Sequence, residues 1–216
     1  MTAGEPLVRW DRVASHVDEI GQRLVEHVEL TAIAVGFVIA FALAHLVLRT
    51  PWLEPPVTWI TGTLYTIPSL ALFALLTPYA GLTVLTSEIG LVSYTLLILI
   101  RNVVRGIRGV PADVREAATG MGYTPRERLW RVELQLALAA IIAGVRIATI
   151  STTGLVTVTS LIGQGGFGYF ILIGILRFFS TELLVGAVGS VALAVVADGL
   201  LVLLRRRLTP WTRAAP

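Results

Sequence analysis

Long apolar segments alternate with shorter polar ones along most of this chain. Each apolar segment has about 20 residues, which is the length that an α-helix needs to cross the hydrocarbon core of a membrane. The pattern predicts an all-α integral membrane protein with about five transmembrane helices. The predicted spans are residues 28–48, 57–78, 83–104, 132–155 and 183–204.

The segment 1–27 is polar, and an apolar stripe runs through it from Trp10 to Val28. Spacings of three and four within the stripe are typical of an amphipathic helix, which we expect to lie along the membrane surface. The predicted organisation is therefore this amphipathic segment, a transmembrane domain at 28–204 and a basic tail at 205–216.

The stretch 156–180 lies between the last two predicted spans and is apolar, but glycines interrupt it. We favour a short helix with a glycine loop on the outer side of the membrane, and a sixth span is the alternative. The interrupting glycines are Gly163, Gly165, Gly166 and Gly168.

Composition agrees with a membrane protein. The chain is 55% hydrophobic and 14% charged, whereas a soluble domain carries about a quarter charged residues. The absence of cysteine excludes disulfides and thiolate metal sites. The pI near 9.8 is also typical of nucleic-acid-binding proteins, but arginines that fix membrane topology explain it more simply. We therefore predict no nucleic-acid partner.

The arginines predict the orientation. Twelve of them lie in the loop 101–131, in the tail from residue 205 onward or at Arg49, and all twelve fall on one side if there are five spans. The arginine-rich side is expected to be cytoplasmic, which places the N-terminus outside and the C-terminus inside. Six spans would put the loop and the tail on opposite faces.

The polar segment 105–131 contains the signals of two short helices. The first helix would end at Gly120 and Gly122, because glycine breaks helices and closes them. Thr124 can cap the second helix, with Glu127 three residues later completing a capping box. A short helix, a glycine turn and a second helix are therefore expected on the cytoplasmic face.

This segment resembles the EAA loop of bacterial ABC importer permeases. The resemblance rests on Glu116-Ala117-Ala118, on Gly122 and on Val132 with Leu134. It implies a coupling helix that docks in a groove of a cytoplasmic ATPase. Gln135 replaces the family's usual proline, so another residue must set the angle at which the next span begins. The residues to which the resemblance assigns ATPase coupling are Glu116, Ala117, Ala118, Gly120 and Gly122.

Further runs are similar to osmoprotectant permeases, which serve glycine betaine, carnitine or choline. They include 66–72, 120–122 and 161–168. The resemblance implies a permease of the five-span, MetI-like type that carries such a compatible solute. A permease for methionine or another amino acid is an alternative, as is a non-transporting membrane scaffold. A secondary transporter is a third alternative, but no inverted repeat supports it.

The resemblance also implies partners in a bacterial cell membrane. These are ATPase subunits, a second permease subunit (identical or homologous) and an extracytoplasmic substrate-binding protein. The chain contains no Walker A, HExxH or G-x-S-x-G sequence, so we predict that it is not an enzyme. It would need no cofactor of its own, and ATP and Mg would belong to the partner ATPase.

Several residues within the spans are candidates for a translocation path or gate. Pro68 is expected to kink the second span, through helix packing or as part of a gate. Arg146 lies about 21 Å from the start of its span and Asp198 about 10 Å from the end of its own, so the depths argue against an ion pair. Interfacial solvation explains Glu88.

A hydroxyl-rich stretch, 149–160, leads into the glycine loop, and it can either line a polar path or pack helices together. The glycine spacing only superficially resembles a dinucleotide-binding motif, because no strand precedes it. The candidate path or gate residues are Pro68, Arg146, Thr152, Thr153, Gly163, Gly165 and Gly166.

Overall fold

The computed structural model describes residues 7–48 and 54–210, and within these ranges the chain is helical, without β-strands. Arg49 and the tail residues 211–216 lie outside the described ranges. A π-helical turn, Leu129–Glu133, precedes α8, and a 3₁₀ segment, Thr157–Ile162, follows it. The α-helices are α1 Trp10–Ser15, α2 Val17–Leu48, α3 Glu54–Thr66, α4 Ser69–Ala80, α5 Val84–Arg108, α6 Ala112–Gly120, α7 Pro125–Arg128, α8 Leu134–Val156, α9 Gly168–Leu176 and α10 Ser180–Leu208.

Three helical stretches in the described ranges are long and apolar enough to cross a membrane. They are α5, the run that contains α8, and α10, and they correspond to the predicted spans at 83–104, 132–155 and 183–204. A fourth candidate is the bent pair formed by α3 and α4.

The first helix of the membrane region is longer than the sequence pattern suggests. Helix α2 continues without a break through His27 and Val28, where the amphipathic segment was expected to end. The amphipathic turns therefore continue along the axis of the apolar part, residues 31–48, which contains no Asp, Glu, Lys or Arg. Only α1 forms a separate helix ahead of α2.

Pro68 breaks the second predicted span rather than kinking it. The axes of α3 and α4 meet at 102°, and Pro68 has extended backbone angles, φ −56° and ψ 134°, at the start of α4. Proline cannot donate a backbone hydrogen bond and its ring crowds the preceding turn, which favours a break in the helix at this position. The Tyr94 hydroxyl on α5 donates to the Ile67 carbonyl at the break. A neighbouring helix therefore satisfies this carbonyl at the break.

Helix α5 is the centre of the bundle, where it packs against α2, α3, α4 and α8. Close approach of α5 and α8 depends on small residues: a Cβ at Gly144 would lie 2.4 Å from the Cβ of Asn102, which is too close for any side chain there. Two buried apolar clusters join α2, α5 and α8. Their fully buried members are Leu30, Ala34, Leu91 and Val156 in one, and Val38, Ala42, Leu99 and Val103 in the other.

The stretch 156–180 forms a short helix and a glycine loop, which was the favoured interpretation. Helix α9 has nine residues, so it is about 14 Å long, less than half of the hydrocarbon thickness. It packs against α10 and the 3₁₀ segment. A sixth span at this position is therefore excluded.

Candidate functional site

Gly122 closes helix α6 in a conformation that favours glycine. The N–H of Tyr123 donates to the carbonyl of Ala118 (3.2 Å), and the N–H of Gly122 donates to the carbonyl of Thr119 (3.0 Å). These two bonds define a Schellman motif, in which the residue after the helix C-cap is left-handed. Gly122 occupies that position with φ +85°. The number of residues between the alanine pair, Ala117-Ala118, and Gly122 is therefore the one that a Schellman helix end requires.

The structure divides the predicted coupling residues into two groups. Glu116, Ala117, Gly120 and Gly122 are exposed on the loop. Ala118 is only 1% exposed, so its side chain packs within this chain and cannot touch a partner. The exposed residues, all of them Ala or Gly except Glu116, form a surface around the end of α6, which we call the coupling surface.

Arg128 links the coupling surface to α8, the membrane helix that follows, through hydrogen bonds. Its guanidinium donates to the Thr119 hydroxyl at the end of α6 (2.9 Å) and to the Glu133 carboxylate in the π-helical turn (2.8 Å). The Glu133 side chain is 6% exposed. Thr124 and Glu127 form the predicted capping box at the start of α7. A displacement of α6 would therefore be transmitted to α8 through two short polar links.

A π-helical turn lies just before Gln135, the residue that stands where the resemblance leads us to expect a proline. The π-helical turn, Leu129–Glu133, ends two residues before Gln135. Single π turns inside α-helices are frequent at functional sites and redirect the helix axis. The turn leads directly into α8, and Arg128 bonds the Glu133 carboxylate at its end. Capping and periodicity give no signal for it.

A cavity of about 340 Å³ lies beside the broken span, and we call it the central cavity. The α3–α4 junction, α5 and α8 line it. Two of the predicted path residues, Pro68 and Thr152, are among the lining residues. The Thr152 hydroxyl is 2.7 Å from the Thr95 hydroxyl, and both residues are at most 2% exposed.

Two tyrosines also line the central cavity, and the sequence analysis did not identify them. The rings of Tyr65 on α3 and Tyr94 on α5 lie 5.6 Å apart, centroid to centroid, at an interplanar angle of 63°. They come together because α3 ends beside α5 at the break. Only the packing of the two helices reveals this pair.

Arg146 and Asp198 form an ion pair, so the expectation from helix depth was wrong. Arg146 Nε is 2.7 Å from Asp198 Oδ1, and Nη2 is 2.9 Å from Oδ2. Helix α10 continues through the terminal arginines to Leu208, which places Asp198 about 15 Å from the helix end rather than 10 Å. Arg146 lies about 18 Å from Leu134, where α8 begins. The remaining difference is within the reach of the arginine side chain.

Two of the other predicted path residues, Thr153 and Gly166, contact His27 rather than the central cavity. His27 is fully buried, and its Nε2 lies 2.9 Å from the Thr153 carbonyl. Its Nδ1 accepts a hydrogen bond from the Phe167 N–H at 3.3 Å. A Cβ at Gly166 would lie 2.5 Å from the Cβ of His27, and one at Gly165 would lie 2.5 Å from the Ser160 nitrogen. Thr153, Gly165 and Gly166 therefore serve close packing.

Gly163 is exposed and ends the 3₁₀ segment with φ +82°. The hydroxyl-rich stretch mostly bonds its own helix. The hydroxyls of Thr149, Thr153, Thr157 and Thr159 each donate to a carbonyl three or four residues earlier. Of the two proposed roles for this stretch, Ser151 and Thr152 fit the polar lining, and the others fit helix packing.

Glu88 is not solvated at the helix end, contrary to expectation. It is 9% exposed, and neither carboxylate oxygen has a hydrogen-bond partner within the described ranges. An ionised carboxylate in such surroundings is costly unless it is paired. Interfacial solvation therefore does not explain Glu88.

Comparison with known proteins places the chain in a transport family. Residues 32–210 match the profile of the family "Binding-protein-dependent transport system inner membrane component". The choline transport system permease protein OpuBB of Bacillus subtilis (strain 168) is 36% identical over 194 residues, covering 89% of each chain. The osmoprotectant import permease protein OsmW of Salmonella typhimurium (strain LT2) is 37% identical, covering 86% of this chain and 89% of that protein.

The fold agrees with that family. A chain of the MetNI methionine ABC transporter, solved in an inward-facing conformation, superposes with a TM-score of 0.79 at 19% identity. The match covers 90% of this chain and 98% of the transporter chain. The protein therefore belongs to the family of inner-membrane components of binding-protein-dependent transport systems, and it is a permease subunit of an ABC importer.

Proposed function

We propose that this subunit, paired with a second permease subunit, forms the translocation path for a compatible solute such as glycine betaine, carnitine or choline. The two relatives named above support the substrate class, since one transports choline and the other imports osmoprotectants. The second permease is a copy of this chain or a homologue. An extracytoplasmic binding protein delivers the solute.

The observation that carries the proposal is the coupling surface, with its glycine helix stop and its link to α8. It is exposed, and apart from Glu116 its side chains are small, so a partner's backbone can approach it closely. In our proposal a cytoplasmic ATPase docks there and supplies ATP hydrolysis with Mg. Closure of the ATPase subunits then displaces α6, and the Arg128 link carries the displacement to α8.

The proposed orientation places α6, the coupling surface and the C-terminal arginines in the cytoplasm. Within the described ranges the terminal cluster Arg205–Arg207 and the loop arginines support this orientation, because arginine-rich segments remain on the cytoplasmic side. The glycine loop and α9 then lie on the outer side, where the binding protein docks.

Uptake of labelled glycine betaine tests the proposal. Cells that lack other osmoprotectant importers would express this chain with its neighbouring transporter genes, at low and high salt. We expect uptake that disappears when the ATPase subunit carries an inactivating substitution, and that excess choline or carnitine suppresses but excess methionine does not. Uptake that is suppressed only by methionine would overturn the substrate class. Normal uptake with an inactive ATPase would overturn ATP coupling.

A further inference from the structure

We infer that Tyr65 and Tyr94 form a binding site for a quaternary ammonium group in the central cavity of this subunit. The inference deepens the proposed function and rests on it, because it names the part of the solute that the permease itself contacts. Selectivity would then be shared between the binding protein and the translocation path.

The geometry of the two tyrosines favours a cationic ligand. The two rings meet at 63° and form a corner rather than a parallel stack. Neither ring therefore covers the whole π surface of the other, and part of that surface stays open to a ligand. The Tyr94 hydroxyl is held by the Ile67 carbonyl, which fixes one wall of the corner. Tyr65 is 47% exposed, so its ring can be reached. Aromatic rings attract quaternary ammonium groups through cation–π interactions.

The absence of charge in the cavity narrows the ligand class. None of the described residues that line the central cavity is Asp, Glu, Lys, Arg or His. A compact, strongly hydrated charge, such as a metal ion or a primary ammonium group, is costly to bury without an anionic partner. A quaternary ammonium group donates no hydrogen bond, and aromatic faces are sufficient for it. Binding without an ion pair also remains weak enough for the solute to leave, as transport requires.

The opposite side of the cavity is polar. The Thr95 and Thr152 hydroxyls bond each other, and Ser69 and Ser151 also line the cavity. Thr95 donates to the Leu91 carbonyl and accepts from Thr152. The accessible Ser69 and Ser151 hydroxyls are therefore the ones that can hydrogen-bond the carboxylate or hydroxyl group at the other end of a small solute. The volume, about 340 Å³, lies at the small end of the range for ligand sites. The cavity therefore suits a small molecule with one quaternary ammonium end and one polar end.

Equilibrium binding to the assembled transporter tests this inference. Labelled choline would be titrated against the purified permease–ATPase complex without the binding protein. Tetramethylammonium and the uncharged carbon isostere of choline, dimethylbutanol, would serve as competitors. Three variants would be compared: Tyr65→Leu, Tyr65→Phe and Tyr79→Leu. Tyr79 is 91% exposed on α4 and is not a lining residue, so it is the matched control.

We expect Tyr65→Leu to weaken choline binding about tenfold, and Tyr65→Phe and Tyr79→Leu to change it by no more than about twofold. Tetramethylammonium should compete and dimethylbutanol should not. Equal affinity for Tyr65→Leu and Tyr65→Phe would overturn the inference, as would equal competition by the two compounds. Lack of choline binding to the wild-type complex would also overturn it.

Failure of the inference and failure of the proposed function can be told apart. Whole-cell uptake by the wild-type system does not depend on where the permease contacts the solute. Normal glycine betaine uptake with no choline binding to the complex would overturn only the tyrosine site. No uptake of any compatible solute, with a correctly assembled complex, would overturn the proposed function itself.

Discussion

Arg146 on α8 and Asp198 on α10 are joined by two parallel hydrogen bonds of 2.7 and 2.9 Å. Both side chains are partly accessible in the isolated subunit, at 27% and 28%. Charged groups inside a membrane protein are stable when they face a partner or a wet cavity. The pair therefore joins α10 to α8.

Removal of one partner of this pair should harm the protein more than removal of both. Asp198→Leu leaves the Arg146 guanidinium unpaired, and we expect it to lower the apparent melting temperature by several degrees and to reduce the yield. The double variant Arg146→Leu/Asp198→Leu should recover most of the loss, since an apolar pair is acceptable in this position. Thermal stability in detergent, measured by size-exclusion chromatography after heating, gives the comparison as a double-mutant cycle. Additive effects of the two substitutions would contradict the interpretation.

His27 joins three parts of the molecule through its two ring nitrogens. The Thr153 carbonyl can only accept and the Phe167 N–H can only donate, so the ring is the neutral tautomer with its proton on Nε2. His27→Phe keeps the ring but leaves both backbone groups without this partner, which costs about 1–3 kcal/mol for each unsatisfied group. We expect a clearly lower melting temperature than for His16→Phe, because His16 is exposed. Equal stability of the two variants would show that the His27 bonds are unimportant.

The glycine loop offers a matched pair of substitutions. Gly166→Ala places a Cβ 2.5 Å from the His27 Cβ and 2.7 Å from the Arg23 carbonyl oxygen, whereas a Cβ at Gly163 meets nothing within 4 Å. Both glycines have positive φ, so each alanine carries a similar conformational cost of about 1–2 kcal/mol. We expect Gly166→Ala to prevent correct folding and Gly163→Ala to be mildly destabilising. Comparable expression and melting temperature for both would contradict the packing described here.

Arg128 is predicted to act in coupling rather than in docking. Arg128→Gln removes the ion pair with Glu133 and the contact with Thr119, while the exposed coupling surface is kept. ATPase subunits should still copurify, but ATPase activity should respond much less to the loaded binding protein. Arg126→Gln, at an exposed neighbouring position, is the control and should behave as the wild type. Loss of copurification in Arg128→Gln would instead make Arg128 part of the docking surface.

Some features of this molecule could be predicted because they depend on residues that lie close together in the sequence. The capping box at Thr124 and Glu127 and the helix stop at Gly122 depend only on residues three to five positions away, and the sequence reveals both. The length of the apolar segments predicts the helices at 83–104, 132–155 and 183–204 for the same reason. Pro68 marks the end of a helix, but the angle of 102° depends on α5, whose Tyr94 holds the broken end.

Contacts between distant segments could not be predicted from the sequence. The Arg146–Asp198 pair depends on where α10 ends, and the terminal arginines suggested too early an end. Tyr65 and Tyr94 meet only because α3 stops beside α5. Ala118 shares a motif with exposed residues, yet the helical period turns it inward. In each case the missing information is the packing of one helix on another.

The central claim is that the Gly122 helix stop presents the coupling surface to an ATPase that drives solute import. The most direct measurement is ATP-dependent uptake of labelled glycine betaine by cells with Gly122→Val or Gly21→Ala, at equal amounts of membrane-inserted protein. A β-branched residue is strongly disfavoured at φ +85°, whereas Gly21 is inside α2, away from the coupling surface, and a Cβ there meets nothing within 4 Å. The account predicts loss of uptake and of ATPase copurification for Gly122→Val, with Gly21→Ala close to the wild type. Normal uptake by Gly122→Val would contradict it.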